Sequence, residues 1–181
     1  LIMRIGPKYK IARRLGAPIF EKTQTPKYAL SLARKERSIG KKGHGKPKSE
    51  FGLELIEKQK ARFTYGLSEK QFRNYVGNAL RAEVPVQKLF AILESRLDNV
   101  LFRSGLAKTR AQARQTASHG HVLVNGKRVT VPSILLSEKD IVSLRPSSAS
   151  SPLFGEATER MKTMILPTWL KVNPDSREMT V

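Results

Sequence analysis

The chain has 181 residues, with 34 Lys and Arg against 15 Asp and Glu, a formal net charge of +19 and a pI near 10.6. So large an excess of one sign opposes compaction unless a polyanion neutralises it, and nucleic acid rewards every phosphate that a cation covers by releasing counterions. The absence of cysteine excludes disulfides, thiol catalysis and Cys-based zinc sites, no apolar run nears the ~18 residues of a membrane span, and no secretory pattern opens the chain.

Residues 1–48 hold 14 Lys and Arg and two acids, Glu21 and Glu36. This stretch is rich in Gly and Pro ("RIGPKYK", "RLGAP", "GKKGHGKPKS") and lacks a sustained apolar period. Such a segment cannot bury enough apolar surface to order itself alone. It is expected to be an extended basic arm that orders on RNA, with a solvated tail as the bland alternative. From Ser49 the pattern turns helical. "SEFGLELIEKQKARFTYG" spaces Leu53, Ile56, Lys60 and Phe63 along one helix, capped by Ser49 and stopped by Gly66. "LSEKQFRNYVGNALRA" gives a second, capped by Ser68, with Phe72, Tyr75, Val76 and Leu80 on its apolar side. Lys58, Lys60, Arg62, Lys70 and Arg73 project from this pair, with Tyr65, Phe72 and Tyr75 between them. Cations interleaved with rings could grip phosphates and stack bases; a plain core role for the rings is the alternative.

"VPVQKLFAILESRLDNVLFRSGL" repeats Leu89, Leu93, Leu97 and Leu101 every four residues, with Val100 widening the stripe and Glu94, Arg96, Asp98 and Asn99 off it. The spacing predicts one helix, ended by Gly105 in the left-handed conformation. Thr109 then caps a shorter helix on which Arg110, Arg114 and Ser118 share a face, with Ala113 and Ala117 small enough for close packing on the helix before. Gly120 closes it. "HVLVNGKRVTV" reads as two strands joined by Asn125-Gly126, the dipeptide that a type I′ turn favours, and "DIVSLRP" supplies a third strand. "SSASSP" reads as a flexible link before a last short helical piece, with Trp169 as a packing anchor.

An RNA duplex is read mainly by shape, phosphates and 2′-hydroxyls. A helix N-terminus beside a basic hairpin tip offers N–H donors and cations to phosphates together. On this reading Arg110, Arg114, Lys127 and Arg128 sit on one rim.

The run "RLDNVLFRSGLAKTRAQARQTASHGHVLVNGKRV" resembles the small RNA-binding module shared by a ribosomal small-subunit protein, pseudouridine synthases, tyrosyl-tRNA synthetases and a ribosome-associated heat-shock protein. The flanks choose among them. "GPKYKIARRLG", "FGLELIEKQKARFTYGLSEKQFRNYV" and "PTWLKV" resemble, in order, the small-subunit ribosomal protein four family of bacterial type. The resemblance implies a primary binder of small-subunit ribosomal RNA, at a multi-helix junction of the 5′ domain, that nucleates subunit assembly. It implies that Lys8, Lys10, Arg13 and Arg14 anchor the arm on that RNA. Lys58, Lys60, Arg62, Gln71, Arg73 and Asn74 would line the helical domain's RNA face, and Thr109, Arg110, Arg114, Ser118, Lys127 and Arg128 would carry contacts from the module. Lys46 and Lys48 match basic positions where messenger RNA enters and structured messages are opened. Small-subunit ribosomal protein five would be the main protein partner, at an interface tied to decoding accuracy, and some members also repress their own operon message. The expected location is the cytoplasm, in the small ribosomal subunit, an organellar ribosome being also compatible.

Two departures stand out. Many members hold zinc in the arm with four cysteines; this chain has none, and His44 cannot replace them, so no metal or other cofactor is expected. The strand that usually follows "PTWL" is expected to be missing because the chain ends at Val181, and Met3 is a candidate true start. As for catalysis, His119 and His121 flank Gly120 without an acidic or Cys partner at ligand spacing, so a turn feature or RNA contact is expected of them. No phosphate loop, nucleophile elbow or catalytic carboxylate pair is visible. Asp98 is expected to pair with an arginine such as Arg114. An RNA-modifying enzyme's accessory domain, or a ribosome-associated stress protein, is the alternative to a non-catalytic ribosomal protein. The expected fold is α+β: a basic N-terminal arm (1–48), a helical domain (49–90 plus 152–181), an inserted helix–helix–β-hairpin RNA-binding module with a small, mostly antiparallel sheet (91–146), and a flexible link (147–151).

Overall fold

The computed structural model describes residues 5–39 and 49–181, in two compact units that divide after Phe72. The first unit contains α1 (Lys8–Leu15), α2 (Pro26–Ile39) and α3 (Glu50–Thr64). Ala12, Leu15, Phe20, Tyr28 and Phe63 form its small core, with Ile5, Tyr9, Ile11, Ile19 and Ile56 packed at the edge. Much of the expected extended arm is therefore helical. Its apolar residues are too few and too irregularly spaced to show a period, but Phe63 and Ile56 of α3 close the core they begin. Between α1 and α2, Thr23 accepts the Phe20 N–H at 3.1 Å and donates to the Phe20 carbonyl at 2.6 Å, fixing a tight turn.

Both predicted serine caps form. Ser49 Oγ accepts the Gly52 N–H at 3.3 Å, and Ser68 Oγ accepts that of Gln71 at 3.3 Å at the start of α4 (Glu69–Ala79). Each satisfies an N–H that has no intrahelical partner. Phe63 and Phe72 are buried, whereas Leu53 and Leu80 are 54% and 67% exposed, so the apolar sides read from periodicity are covered only in part.

The second unit begins within α4 and continues through α5 (Pro85–Glu94), α6 (Leu97–Arg103) and α7 (Arg110–Ser118). The single helix expected over the leucine repeat is thus two. Arg96 is extended (φ −66°, ψ 138°), and the segment 132–136 takes up backbone groups that the break frees. Leu97 N–H donates to Ile134 at 2.9 Å, Asp98 N–H to Pro132 at 3.0 Å, and Leu136 N–H to Ser95 at 2.8 Å. Buried backbone needs such partners, and here they come from across the fold.

Then come β1 (Val122–Val124), β2 (Lys127–Val129), β3 (Ile141–Leu144), α8 (Ala157–Thr163), β4 (Lys171–Asn173) and β5 (Glu178–Thr180). The strands form one antiparallel sheet in the order β2-β1-β3-β5-β4. Asn125 (φ 49°) and Gly126 (φ 76°) make the turn between β1 and β2 that the dipeptide predicts. The core behind the sheet joins Leu97, Val100 and Leu101 of α6, Ala113 and Ala117 of α7, and Val122, Val142, Met161 and Met179. Trp169 packs on its edge, as an anchor should.

The C-terminal segment corrects two expectations. The chain does form strands after "PTWL": β5 pairs with β3 (Val142 opposite Met179) and β4 pairs with β5. Residues 171–180 therefore share the module's sheet instead of joining residues 49–90. The stretch read as a flexible link makes short 3-10 turns at Pro146–Ser148 and Pro152–Phe154, with Ser148 and Phe154 buried. A polar composition hid both features, because each is held by partners distant in sequence.

Candidate nucleic-acid interface

The candidate interface lies on α7 and the hairpin after it. Thr109 Oγ1 accepts the Gln112 N–H at 3.1 Å, while Gln112 Oε1 accepts the Lys108 N–H at 2.8 Å, a reciprocal cap. Ala113 and Ala117 are fully buried against α6, and this fixes how α7 is rotated. Arg110, Arg114 and Ser118 then fall on a different face. Arg110 is half-buried: its Nε donates to Asn99 Oδ1 at 2.9 Å and its guanidinium lies 4.3 Å from the centroid of the Phe102 ring. Arg114 is largely buried, its side chain 13% exposed, and it pairs with Asp98 at 2.8 Å as the sequence suggests. Ser118 is exposed, its hydroxyl bonded to the Gln115 carbonyl at 3.1 Å.

Beneath α7 lies a network of which the sequence reading found only the pairing of Asp98 with Arg114. Glu94, Arg96, Asp98 and Asn99, which fall off the leucine stripe, are each no more than 4% exposed. Arg96 donates to Asp98 at 3.0 and 2.7 Å and to the Tyr75 hydroxyl. Burial opposes the charge of Arg96, but the hydrogen bond and charge of Asp98, then those of Tyr75, more than offset it and hold its pKa above the ordinary value. Glu94 accepts from Nε and Nη2 of Arg103 at 2.9 and 2.8 Å and from Asn99 Nδ2 at 2.9 Å. The signal for this network was the dense mix of charge in "ESRLDN" inside a leucine repeat; buried charges must be paired.

Lys127 and Arg128 are exposed on β2, opposite Val124 and Leu123. Successive side chains on a strand leave opposite faces, so the two do not share the single rim expected of them with Arg110 and Arg114. Arg128 folds toward the end of α7, donating to the His119 carbonyl at 3.4 Å and lying so close over Gly120 that a Cβ there would collide with its guanidinium. His121, half-buried after the turn at Gly120, has its Nδ1 at 2.9 Å from Ser148 Oγ and its ring edge-on against Phe154. Among the described residues no group of three or more His, Cys, Asp or Glu could hold a metal, and no helix is long and apolar enough to cross a membrane.

In the first unit, Lys58 and Arg62 both bind Glu69, at 2.8 and 3.0 Å. The Lys58 hydrogen bond first, then the charges of Lys58 and Arg62, hold the Glu69 carboxyl below its ordinary value against slight burial. Lys60 pairs with Glu57 at 2.7 Å. Gln71 Oε1 accepts from Ser68 at 3.3 Å, a helix-capping role. Lys10 and Arg14 are exposed, Lys8 lies 5.7 Å from the Phe20 ring centroid, and Arg13 Nε is buried without a hydrogen-bond partner. On α4, Arg73 and Asn74 are exposed. Lys46, Lys48 and His44 lie outside the described residues.

Comparison with known proteins agrees with this anatomy. The family described as ribosomal protein S4/S9 N-terminal domain matches residues 3–94, and the S4 domain matches residues 95–142. The two matches meet at the break between α5 and α6. The small ribosomal subunit protein uS4 of Corynebacterium kroppenstedtii is 49% identical over 178 residues, covering 97% of this chain and 86% of that protein. The uS4 of Cutibacterium acnes is 46% identical with the same coverage, and that of Aquifex aeolicus 42% identical over 95% of this chain and 83% of its own. By these identities over nearly its whole length, the chain belongs to the small ribosomal subunit protein uS4 family.

Proposed function

We propose that the chain is a constituent of the small ribosomal subunit of a bacterial, cytoplasmic ribosome that binds small-subunit ribosomal RNA. It is not an enzyme; its relatives are ribosomal proteins. The observation that carries the reading is a segregation of charge in the module. Of its four acids, Glu94 and Asp98 are buried on arginines and Asp140 is held by the chain itself, which leaves Glu138 as the exposed one. Lys127, Arg128, Lys139 and Arg145 face solvent. What remains outward is a cationic surface, which condenses on phosphate and gains from counterion release.

The finer reading places the binding at a multi-helix junction of the 5′ domain, early in subunit assembly. Lys8, Lys10, Arg13 and Arg14, with Lys58, Lys60, Arg62, Arg73 and Asn74, would bind backbone phosphates, as would the module's Arg110, Lys127 and Arg128. Thr109, Gln71 and Arg114 would serve chiefly by fixing helices, since their polar groups are committed to caps and to Asp98. Lys46 and Lys48 would lie where messenger RNA enters, and small-subunit ribosomal protein five would be the neighbour at an interface that supports decoding accuracy. Hydroxyl-radical footprinting of the complete small-subunit RNA with this chain tests the proposal. Protection confined to one 5′-domain junction supports it; diffuse protection along all helices contradicts it.

A further inference from the structure

A phosphate-binding arginine on a mobile side chain loses rotamer freedom when it binds, and that loss subtracts from affinity. Arg110 is built differently. Phe102 lies under the face of its guanidinium at 4.3 Å, and Asn99 Oδ1 accepts from its Nε at 2.9 Å. The amide of Asn99 has only one workable orientation. Its Nδ2 donates to the Glu94 carbonyl at 3.2 Å and to Glu94 Oε2 at 2.9 Å, which leaves Oδ1 to face the arginine. Flipping it would set a carbonyl oxygen against a carboxylate and N–H donors against a guanidinium. Glu94 is fixed in turn by Nε and Nη2 of Arg103.

We propose that Asn99 and Phe102 are positioning residues for RNA binding, acting through Arg110: they set its guanidinium by edge and face before the ligand arrives. The inference rests on the RNA-binding reading above. Asn99 is 1% exposed and cannot reach a ligand itself, and Phe102 lies against the face of the guanidinium, whereas a phosphate is bound in its plane, by the N–H edge. The chain Arg103–Glu94–Asn99–Arg110 therefore transmits order from the buried end of α5 to the surface of α7. The ordering cost of one long side chain is met when the protein folds, not when RNA binds.

The test is a double-mutant cycle on the full chain, read by filter binding to the 5′-domain fragment of small-subunit ribosomal RNA at several salt concentrations. Circular dichroism and denaturant titration accompany each variant. Arg110→Ala should weaken binding and reduce the slope of log affinity against log salt by about one, as loss of a phosphate contact requires. Asn99→Ala should weaken binding by about two- to tenfold, the range for freeing one long side chain that must be immobilised again. In the Arg110→Ala background the same change should have no further effect on binding, even though it still lowers stability. A purely structural role would lower stability in both backgrounds and affect binding equally in both, and that result overturns the inference while leaving the RNA face intact. An Asn99→Ala chain that binds like the parent also overturns it. If Arg110→Ala binds as tightly as the parent, Arg110 is not a phosphate contact and the inference falls, while the RNA-binding reading, which rests on the other cations as well, fails only if the parent chain itself does not bind the ribosomal fragment. Should Asn99→Ala fail to fold, Phe102→Leu, at a half-buried position, takes its place in the cycle, and the same outcomes support or overturn the inference.

Discussion

Arg114 grips Oδ2 of Asp98 at 2.8 Å and so joins α7 to α6 across 16 residues of sequence. The same oxygen takes Nη2 of Arg96 at 2.7 Å, and Arg96 reaches on to the Tyr75 hydroxyl of α4. One carboxylate thus serves two largely buried guanidiniums, and its removal would leave both uncompensated. Asp98→Asn is expected to lower the unfolding free energy by about 3–5 kcal/mol. A denaturant titration showing a loss below about 1 kcal/mol would mean that the node contributes little. For the same reason, weaker RNA binding by Arg114→Ala would report a loosened fold and not a lost phosphate contact.

Gly105 adopts φ +83°, and a Cβ there would stand 3.1 Å from the Arg160 carbonyl oxygen and 3.2 Å from Met161 Cα, both backbone atoms. Gly126 has a similar φ of +76° but open space around it. Backbone strain is common to the two positions and crowding belongs to one. Gly126→Ala should cost about 1 kcal/mol, and Gly105→Ala should exceed it by at least as much again. Equal losses in thermal unfolding would contradict the close approach of α8 to the end of α6.

Asp140 clamps the hairpin turn. Its Oδ1 accepts from Asn125 Nδ2 at 2.8 Å and its Oδ2 from the Ser137 N–H at 2.7 Å, while Asn125 Oδ1 accepts the Ile141 N–H at 2.9 Å. The Asn125 hydrogen bond first, then that of Ser137, hold the Asp140 carboxyl below its ordinary value of 3.8 against slight burial. A carboxyl whose folded pKa is depressed adds stability above the unfolded pKa and loses it as pH falls through the folded one. The stability difference between the parent and Asp140→Asn should therefore be full above pH ~4 and shrink below it. A difference that grows on acidification would refute the clamp.

Met179 is fully buried in the core that also holds Leu97 and Val142, and it sits opposite Val142 across β3 and β5. If the C-terminal strands complete the module as the pairing indicates, Met179→Ala should cost about 2–5 kcal/mol, as buried methionine truncations do. Hydrogen exchange should show the β3 amides losing protection together with those of β5. Protection of β3 that persists unchanged would place the two strands in separate cooperative units.

What could be read from the sequence follows from how local each signal is. Ser49, Ser68 and Thr109 act on N–H groups three residues away, so each cap was legible. Asn125-Gly126 likewise contains its own reason for turning. The arm's core, by contrast, depends on Phe63, more than 30 residues beyond Tyr28, and the break at Arg96 depends on the segment 132–136. Neither partner is visible in a local window, and a four-residue leucine repeat reads the same on one long helix as on two short ones. At the site, Arg110 and Arg114 look equivalent on a helical wheel. Burial separates them, because Arg114 meets a carboxylate under α7 whereas Arg110 meets an amide and a ring near its rim. The alternation of Lys127 and Arg128 was readable from strand period alone and argues against one shared rim.

The measurement that bears most directly on RNA binding is a filter-binding titration against two RNAs, the 5′ domain of small-subunit ribosomal RNA and a charge-matched unrelated duplex, each at low and physiological salt. Log affinity should fall steeply and linearly with log salt for both, as many phosphate contacts require. Tight binding at physiological salt is expected for the ribosomal fragment alone. Equal, salt-fragile affinity for both RNAs would contradict ribosomal RNA recognition and reduce the chain to a basic binder without a ribosomal target.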